Sequence, residues 1–224
     1  DGGTRMLVGY ASIGSDSVLT EIWAHLLETD GAFPAGLHVE PDGRLLVISS
    51  DGMMYTFSDS GDVFEADRRL AASLSGDRAL PVGDVVIGSG AGPGGNDQLF
   101  LVVNGRVEHQ VLGRTRLAGG HIAGATHYDL GIGLENGYSL NPLGLAWSAS
   151  TQRLAIIDAF ARVQLLNVQP ASGDPATYVT KWGDYGEFPG QFVVIPATAV
   201  SVSTDDMGRI YVADSSFRIQ VFSP

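Results

Sequence analysis

The amino-acid sequence predicts an all-β fold built from four repeats, and three observations support it. The chain is rich in turn-forming residues, with 30 glycines and 10 prolines among 224 residues. Between them lie short runs of β-branched and other apolar residues, the pattern of strands joined by tight turns. Four runs, RLLVIS, QLFLVV, RLAIID and RIYVAD, begin at residues 44, 98, 153 and 209. Their regular spacing of 54 to 56 residues is typical of β-propellers, in which each repeat forms one blade of about four strands.

Each repeat contains four predicted strands, of which the periodic run is the second. First strands are predicted at residues 36–40, 83–87, 144–148 and 199–203. Third strands are predicted at residues 53–57, 106–112, 162–168 and 218–222. More variable fourth strands are predicted near residues 62–66, 126–130 and 177–182.

The last repeat resembles a known family. Residues 181–222, KWGDYGEFPGQFVVIPATAVSVSTDDMGRIYVADSSFRIQVF, look like an NHL repeat, with Gly and Phe, then Pro, then a Y-V-A-D-S turn and R-I-Q-V-F. The third repeat is a weaker match. The first repeat keeps the order of strands and turns, and the second keeps only the strand pattern and the spacing. The resemblance implies a β-propeller, commonly six-bladed, that serves as an interaction platform or sometimes as an enzyme. This chain departs from that count, because its period predicts four blades.

The repeats predict a single domain over residues 1–224, with N-terminal strands in 5–24 and units at about 33–80, 81–140, 141–188 and 189–224. The last unit supplies three strands, so residues 18–24 are predicted to pair with it and close the ring, which hides the edge of a sheet. Residues 5–11 form one strand too many for four blades. That strand adds to the closing blade, pairs with a neighbouring molecule, or belongs to a ring of five or six blades.

The acidic composition argues against several classes of partner. Thirteen Lys and Arg against 25 Asp and Glu give a net charge of −12, which repels nucleic acid, RNA included, and anionic membrane surfaces. No apolar run is long enough to insert into a membrane. The chain has no cysteine, which excludes disulfides, thiolate metal sites and CxxCH haem attachment. The missing initiator Met suggests a processed or excised chain, and we expect a secreted, periplasmic or extracellular protein.

Two Asp–Arg pairs are predicted to be structural. Asp158 with Arg162, and Asp214 with Arg218, are four residues apart across tight hairpins. Aspartate in such turns commonly bonds the local backbone, and the NHL resemblance also implies turn pairs that hold a blade together.

Exposed aromatic residues are the candidate partner-binding groups. Phe160 and Phe217 lie in reversals between second and third strands, and the NHL resemblance implies that these reversals reach the same face as the loops that enter first strands. The predicted patch, which has acidic neighbours at Glu135 and Asp184, consists of Tyr138, Phe160, Tyr185, Glu187 and Phe217. Phe188 and the three tryptophans, Trp23, Trp147 and Trp182, are predicted to pack in the core.

The sequence gives only weak indications of a catalytic site or a metal site. The sequence has no GxSxG elbow, and no catalytic residue is predicted. His38 and Glu40 alternate onto one side of a first strand, and Asp84 holds a comparable place in the second repeat. Such groups could hold Ca²⁺ or Zn²⁺ in a propeller channel, although they come from only two repeats. No other cofactor is expected.

The sequence therefore predicts a non-catalytic scaffold module that binds a protein partner or further copies of itself, within a larger extracellular assembly or filament. The alternative is a metal-dependent enzyme similar to lactonases or amidating lyases, with the ion in the central channel.

Overall fold

The computed structural model describes the backbone of most predicted strands and both backbone and side chains of most of the C-terminal third. The described backbone covers residues 6–12, 19–26, 34–39, 45–49, 53–57, 63–69, 82–88, 97–103, 106–112, 127–129, 133–168, 176–195 and 200–223. Side chains are described at residues 100, 102, 107, 133–168, 176–195 and 200–223. These residues form 17 strands and no helix.

The contacts of the chain separate two compact units, Asp1–Val82 and Gly83–Pro224. The first unit holds two antiparallel sheets. One pairs β1 (Met6–Ser12) with β2 (Leu19–Leu26). The other runs in the order β3-β4-β5-β6, with bounds Pro34–Val39, Leu45–Ser49, Met53–Phe57 and Val63–Arg69.

The second unit holds three antiparallel sheets. The first has the order β10-β9-β8-β7, with β7 at Val82–Gly88, β8 at Asp97–Val103, β9 at Arg106–Leu112 and β10 at His127–Asp129. The next runs β11-β12-β13-β14, at Pro142–Ser148, Arg153–Asp158, Val163–Asn167 and Thr177–Trp182. The last is β15-β16-β17, at Ser201–Thr204, Ile210–Ala213 and Ile219–Phe222.

These strands confirm four strands in each of the first three repeats and the first three strands of the last repeat. Each periodic run is the second strand of a meander, and each is flanked by the first and third strands that the sequence predicts. The N-terminal strands differ from the expectation in one respect. Among the described strands, β2 pairs with β1 in a two-stranded sheet, and the sheet of the last repeat contains only β15, β16 and β17. The described strands thus form five sheets, and the number of blades and the closure of the ring stay predictions. No helix in the described part of the chain is long and apolar enough to cross a bilayer.

The sheet β11–β14 is buried on both faces, which explains why LAII, residues 154–157 of β12, is apolar without interruption. Successive side chains of a strand point to opposite faces. On β12, Leu154 and Ile156 therefore pack toward Phe100 of β8, while Ala155 and Ile157 pack toward Val202 of β15. Each face belongs to a separate apolar cluster, so the three sheets of this unit stack in chain order.

The first strands β11 and β15 approach each other so closely that position 144 requires glycine. A Cβ at Gly144 on β11 would lie 3.4 Å from the backbone nitrogen of Val202 and 3.3 Å from Ile157 Cγ2. On the same pair of strands, the Thr204 hydroxyl donates a hydrogen bond of 2.7 Å to the Trp147 carbonyl. Trp147 stacks on Phe100, and Trp182 packs against Phe222, so both tryptophans contact the core, as predicted.

Candidate functional site

The candidate site is a face made by four segments of the second unit. Two are hairpins between second and third strands, residues 158–162 and 214–218, and two are loops that approach first strands, residues 133–141 and 183–193. Antiparallel pairing brings them together, because the start of β11 at Pro142 lies opposite the end of β12 at Asp158. We call these four segments the loop face.

The first hairpin is bound to its approach loop by Arg162, which is buried. The Arg162 guanidinium donates hydrogen bonds of 2.6 Å and 2.9 Å to one carboxylate oxygen of Asp158. It also donates to the backbone carbonyls of Leu134, Gly133 and Tyr138, at 2.7, 3.2 and 3.0 Å. The second Asp158 oxygen accepts the Phe160 amide at 3.0 Å, so one ion pair fixes both the hairpin and the loop.

Arg218 makes the same arrangement one repeat later. Its guanidinium donates to Asp214 at 2.5 Å and to the carbonyls of Glu187, Gly186 and Gln191. Asp214 also accepts the Val193 amide at 3.2 Å and the Ser216 hydroxyl at 2.5 Å. Both predicted Asp–Arg pairs therefore form, and each joins a hairpin to an approach loop.

A glutamine completes each arrangement, and the sequence analysis did not identify it. Gln164 accepts a hydrogen bond from the Gly137 amide at 3.1 Å and donates one to the Tyr138 carbonyl at 2.5 Å. Gln220 accepts from the Gly190 amide at 2.8 Å and donates to the Gln191 carbonyl at 2.7 Å. The sequence carried a signal for it, because both repeats read Asp-x-x-x-Arg-x-Gln. We call this set of three side chains the clamp.

The two approach loops have the same backbone structure despite different sequences, GLENGYS (133–139) and GEFPGQF (186–192). In each, the first glycine amide donates to the carbonyl of the seventh residue at 3.1 Å. The sixth residue donates to the third in each loop, from Tyr138 to Glu135 at 3.2 Å and from Gln191 to Phe188 at 2.9 Å. The clamps thus hold equivalent loop positions that carry different side chains.

The carboxylate of Asp214 is held in its charged form. Burial opposes ionisation, but hydrogen bonds from Arg218, Ser216 and the Val193 amide outweigh it and lower the pKa of Asp214 far below 3.8. The group is therefore ionised at any pH near neutrality and serves the fold as a permanent anion.

The structure exposes the aromatic residues that the sequence marked for partner binding. Phe160, Tyr185 and Phe217 are exposed, as are Tyr138 and the charged Glu187. Glu135 and Asp184, the predicted acidic neighbours, are exposed as well. Leu134, which the sequence analysis did not single out, adds a further exposed apolar side chain.

The prediction that Phe188 packs in the core was wrong. Its side chain is 74% exposed, whereas Phe192 is 0% exposed and packs against Phe222. The reason is the turn between them, closed by the bond from the Gln191 amide to the Phe188 carbonyl. That turn points the first phenylalanine of GEFPGQF outward and the second inward.

Phe217 combines full exposure with an unfavourable backbone conformation. Its side chain is 101% exposed and its φ is +62°. The equivalent residue of the preceding hairpin, Ala161, has a φ of +55°. For residues other than glycine, asparagine and aspartate this left-handed region is costly. The Phe217 amide donates to the Asp214 carbonyl at 3.2 Å, which closes the hairpin but leaves the ring unpacked. Strained residues of this kind are common at functional sites.

The two clamped halves of the loop face adjoin each other at Gly183. A Cβ at Gly183 would overlap the Ala161 carbonyl oxygen and would lie 2.7 Å from the Phe192 ring. Gly183 has a φ of +102°, and the next residues are Asp184 and Tyr185. The second approach loop, which carries the exposed Tyr185, therefore begins beside the first hairpin, and the loop face is continuous.

The opposite end of the C-terminal sheet has a different polar cluster. Asp205, in the hairpin before β16, accepts hydrogen bonds from Arg209 Nε at 2.6 Å and from the Tyr211 hydroxyl at 3.0 Å. Burial opposes ionisation of Asp205, but these bonds lower the pKa of its carboxyl. The cluster closes a hairpin and carries one exposed apolar residue, Met207.

The metal candidates fall on parts of the chain where side chains are not described. His38 lies on β3 and Asp84 on β7, whereas Glu40 lies outside the described residues. Among the described residues, no group of three or more His, Asp or Glu side chains is arranged to hold a metal ion.

Comparison with known proteins supports the fold. No family model and no curated protein matches the sequence. Saccharomyces cerevisiae Sqt1 is similar in structure, with a TM-score of 0.53 and 12% identity, over 97% of this chain and 53% of Sqt1. Kuenenia stuttgartiensis hydrazine synthase has a TM-score of 0.51 and 18% identity, over 91% of this chain and 62% of that chain. This chain thus spans between about half and about three fifths of these structures.

Both of these proteins are β-propellers. The likeness, together with the antiparallel four-stranded sheets, supports a β-propeller fold for this chain. At such low identity it indicates the fold alone.

Proposed function

We propose that this chain is a non-catalytic β-propeller of the NHL type that binds a protein partner through the loop face. The observation that carries the proposal is the exposure of Phe160, Tyr185, Phe188 and Phe217 on segments that the clamps hold rigid. Exposed aromatic side chains are enriched at protein interfaces. Loops that are already ordered lose little conformational entropy when they bind.

The backbone of Phe217 supports the same function. Asparagine or glycine at this position would relieve the strained φ, and a polar residue would remove the exposed ring. A phenylalanine that is unfavourable on both counts is accounted for by a partner that buries it, since binding hot spots are commonly aromatic.

The resemblance to NHL repeats extends the proposal in two ways. We propose that the protein is located outside the cell or in the cell envelope, and that it belongs to a larger assembly or filament. The proposal requires no cofactor. The alternative, a metal-dependent enzyme, rests on His38, Glu40 and Asp84 and requires ligands from at least one further repeat.

Site-specific photo-crosslinking in the native cells tests the proposal. The photoreactive p-benzoylphenylalanine replaces Phe217 in one variant and Met207 in the control. Met207 is also exposed, but the four residues of β16 separate its hairpin from that of Phe217. We expect a discrete cross-linked protein from position 217 and none from position 207. No adduct from 217, or the same adducts from both positions, would overturn the proposal.

A further inference from the structure

We propose that the partner presents arginine side chains to the loop face; this inference rests on the proposed function and adds the chemistry of the partner. It starts from the charges of the face. Both arginines of the loop face, Arg162 and Arg218, are already bonded to a carboxylate and to backbone carbonyls. The outward-facing carboxylates are Glu135, Asp184 and Glu187, and among the described residues none of them forms an ion pair.

Each of these carboxylates belongs to a segment that also carries an exposed aromatic residue or is tied to one by a clamp. The first clamp ties the hairpin of Phe160 to the loop of Glu135, through the bond from Arg162 to the Leu134 carbonyl. The second clamp ties the hairpin of Phe217 to the loop of Glu187, through the bond from Arg218 to the Glu187 carbonyl. Asp184 and Tyr185 are adjacent in the chain, and the Tyr185 amide donates to the Asp184 carboxylate at 2.8 Å. The loop face therefore combines three exposed carboxylates with exposed aromatic residues on segments that the clamps join.

Arginine matches this combination of groups better than lysine does. A planar guanidinium stacks on an aromatic face and donates in parallel to both oxygens of a carboxylate. Lysine is a strongly hydrated point charge, and it makes neither contact as well. The net charge of −12 also attracts a basic partner from a distance and raises the association rate. The occupant we infer is a protein segment with two or three arginines.

Selection of peptides against the full 224-residue chain tests the inference. A displayed library of random 12-residue peptides is selected on the wild-type protein and counter-selected on the Phe160→Ser, Tyr185→Ser, Phe217→Ser triple variant. We expect the surviving sequences to contain arginine at two or more positions and in clear excess over lysine. Peptides that bind the loop face without that excess would overturn the arginine inference and leave the proposed function standing. A library that selects nothing dependent on the loop face would overturn both.

Affinity measurements on a selected peptide separate specific contacts from general attraction to an acidic protein. By fluorescence anisotropy, we expect Glu187→Gln and Phe217→Ser each to weaken binding at least tenfold. Asp206→Asn and Met207→Ser, in the opposite hairpin, remove the same kinds of side chain and should leave the affinity within twofold. Replacing the peptide's arginines with lysine should also weaken binding at least tenfold. Equal losses from the loop-face variants and the control variants, or unchanged affinity with lysine, would overturn the inference.

Discussion

Phe217 is the residue at which the proposed function and the stability of the chain conflict. Its φ of +62° favours asparagine, which tolerates left-handed backbone, and its exposed ring contributes no packing. We therefore expect Phe217→Asn to raise the free energy of unfolding by about 1 kcal/mol, measured by denaturant titration. Phe160→Asn is the control, because Phe160 is exposed but does not have a positive φ. A Phe217→Asn variant no more stable than wild type would show that the ring is packed in solution.

Asp214 gives the stability a dependence on pH. The pKa of the Asp214 carboxyl is lower in the folded chain than in the unfolded chain, where it is near 3.8. The ion pair with Arg218 therefore stabilises the folded state at pH values above 3.8, and this stability is lost as the pH falls. We expect Asp214→Asn to cost about 2–3 kcal/mol at pH 7. The difference from wild type should shrink steadily below about pH 4.

Unfolding curves between pH 3 and 7 measure this difference. Asp206→Asn is the matched control, because Asp206 is an exposed acid in the other hairpin of β16. Its difference from wild type should stay within about 0.5 kcal/mol throughout. If the free-energy cost of Asp214→Asn is unchanged at pH 3, then the hydrogen-bond geometry of Asp214 stabilises the fold and its charge does not.

At the scale of strands, β13 and β17 show how the same sequence pattern gives different burial. Val163 and Ile219 each follow the arginine of a clamp, yet Val163 is 0% exposed and Ile219 is 70% exposed. Val163 packs in the apolar cluster that joins this sheet to β15 and β16 of the next one, whereas no described sheet packs on the corresponding face of β17. A further blade of the predicted ring would cover this face.

Threonine substitutions at Val163 and Ile219 measure this difference in burial. We expect Val163→Thr to cost about 1–3 kcal/mol, because it buries a hydroxyl among apolar groups. Ile219→Thr keeps a β-branched side chain on an exposed strand and should change the free energy of unfolding by no more than about 0.5 kcal/mol. Equal costs, measured by chemical denaturation, would reveal that another strand or sheet covers β17 in solution.

The sequence predicted the elements of this fold better than the directions of its side chains. The four periodic runs gave the second strands, because a buried strand and its flanking turns leave a local signal. The outward direction of Phe188 was missed, since one turn of GEFPGQF carries two phenylalanines and only the three-dimensional turn decides which points inward. Gln164 and Gln220 were missed for a related reason: their partners are backbone groups 26 to 30 residues away.

For the whole chain, the separation of contacts between Asp1–Val82 and Gly83–Pro224 makes cooperativity the decisive measurement. Our proposal of a single propeller domain requires both units to unfold in one transition, because a ring of stacked blades shares its core. Leu154→Ala tests this. Leu154 is fully buried in the second unit, and its truncation should cost about 2–5 kcal/mol.

Native-state hydrogen exchange with mass spectrometry resolves the two units peptide by peptide. In a single domain, the most protected amides of β3–β6 report the same global unfolding as those of β11–β14. Leu154→Ala should then lower the protection of both sets by the same free energy, and Asp206→Asn should lower neither. A loss confined to peptides from residues 83–224 would show two independently folding units. It would also limit the scaffold proposed here to the second unit, the part of the chain that carries the clamps and the loop face.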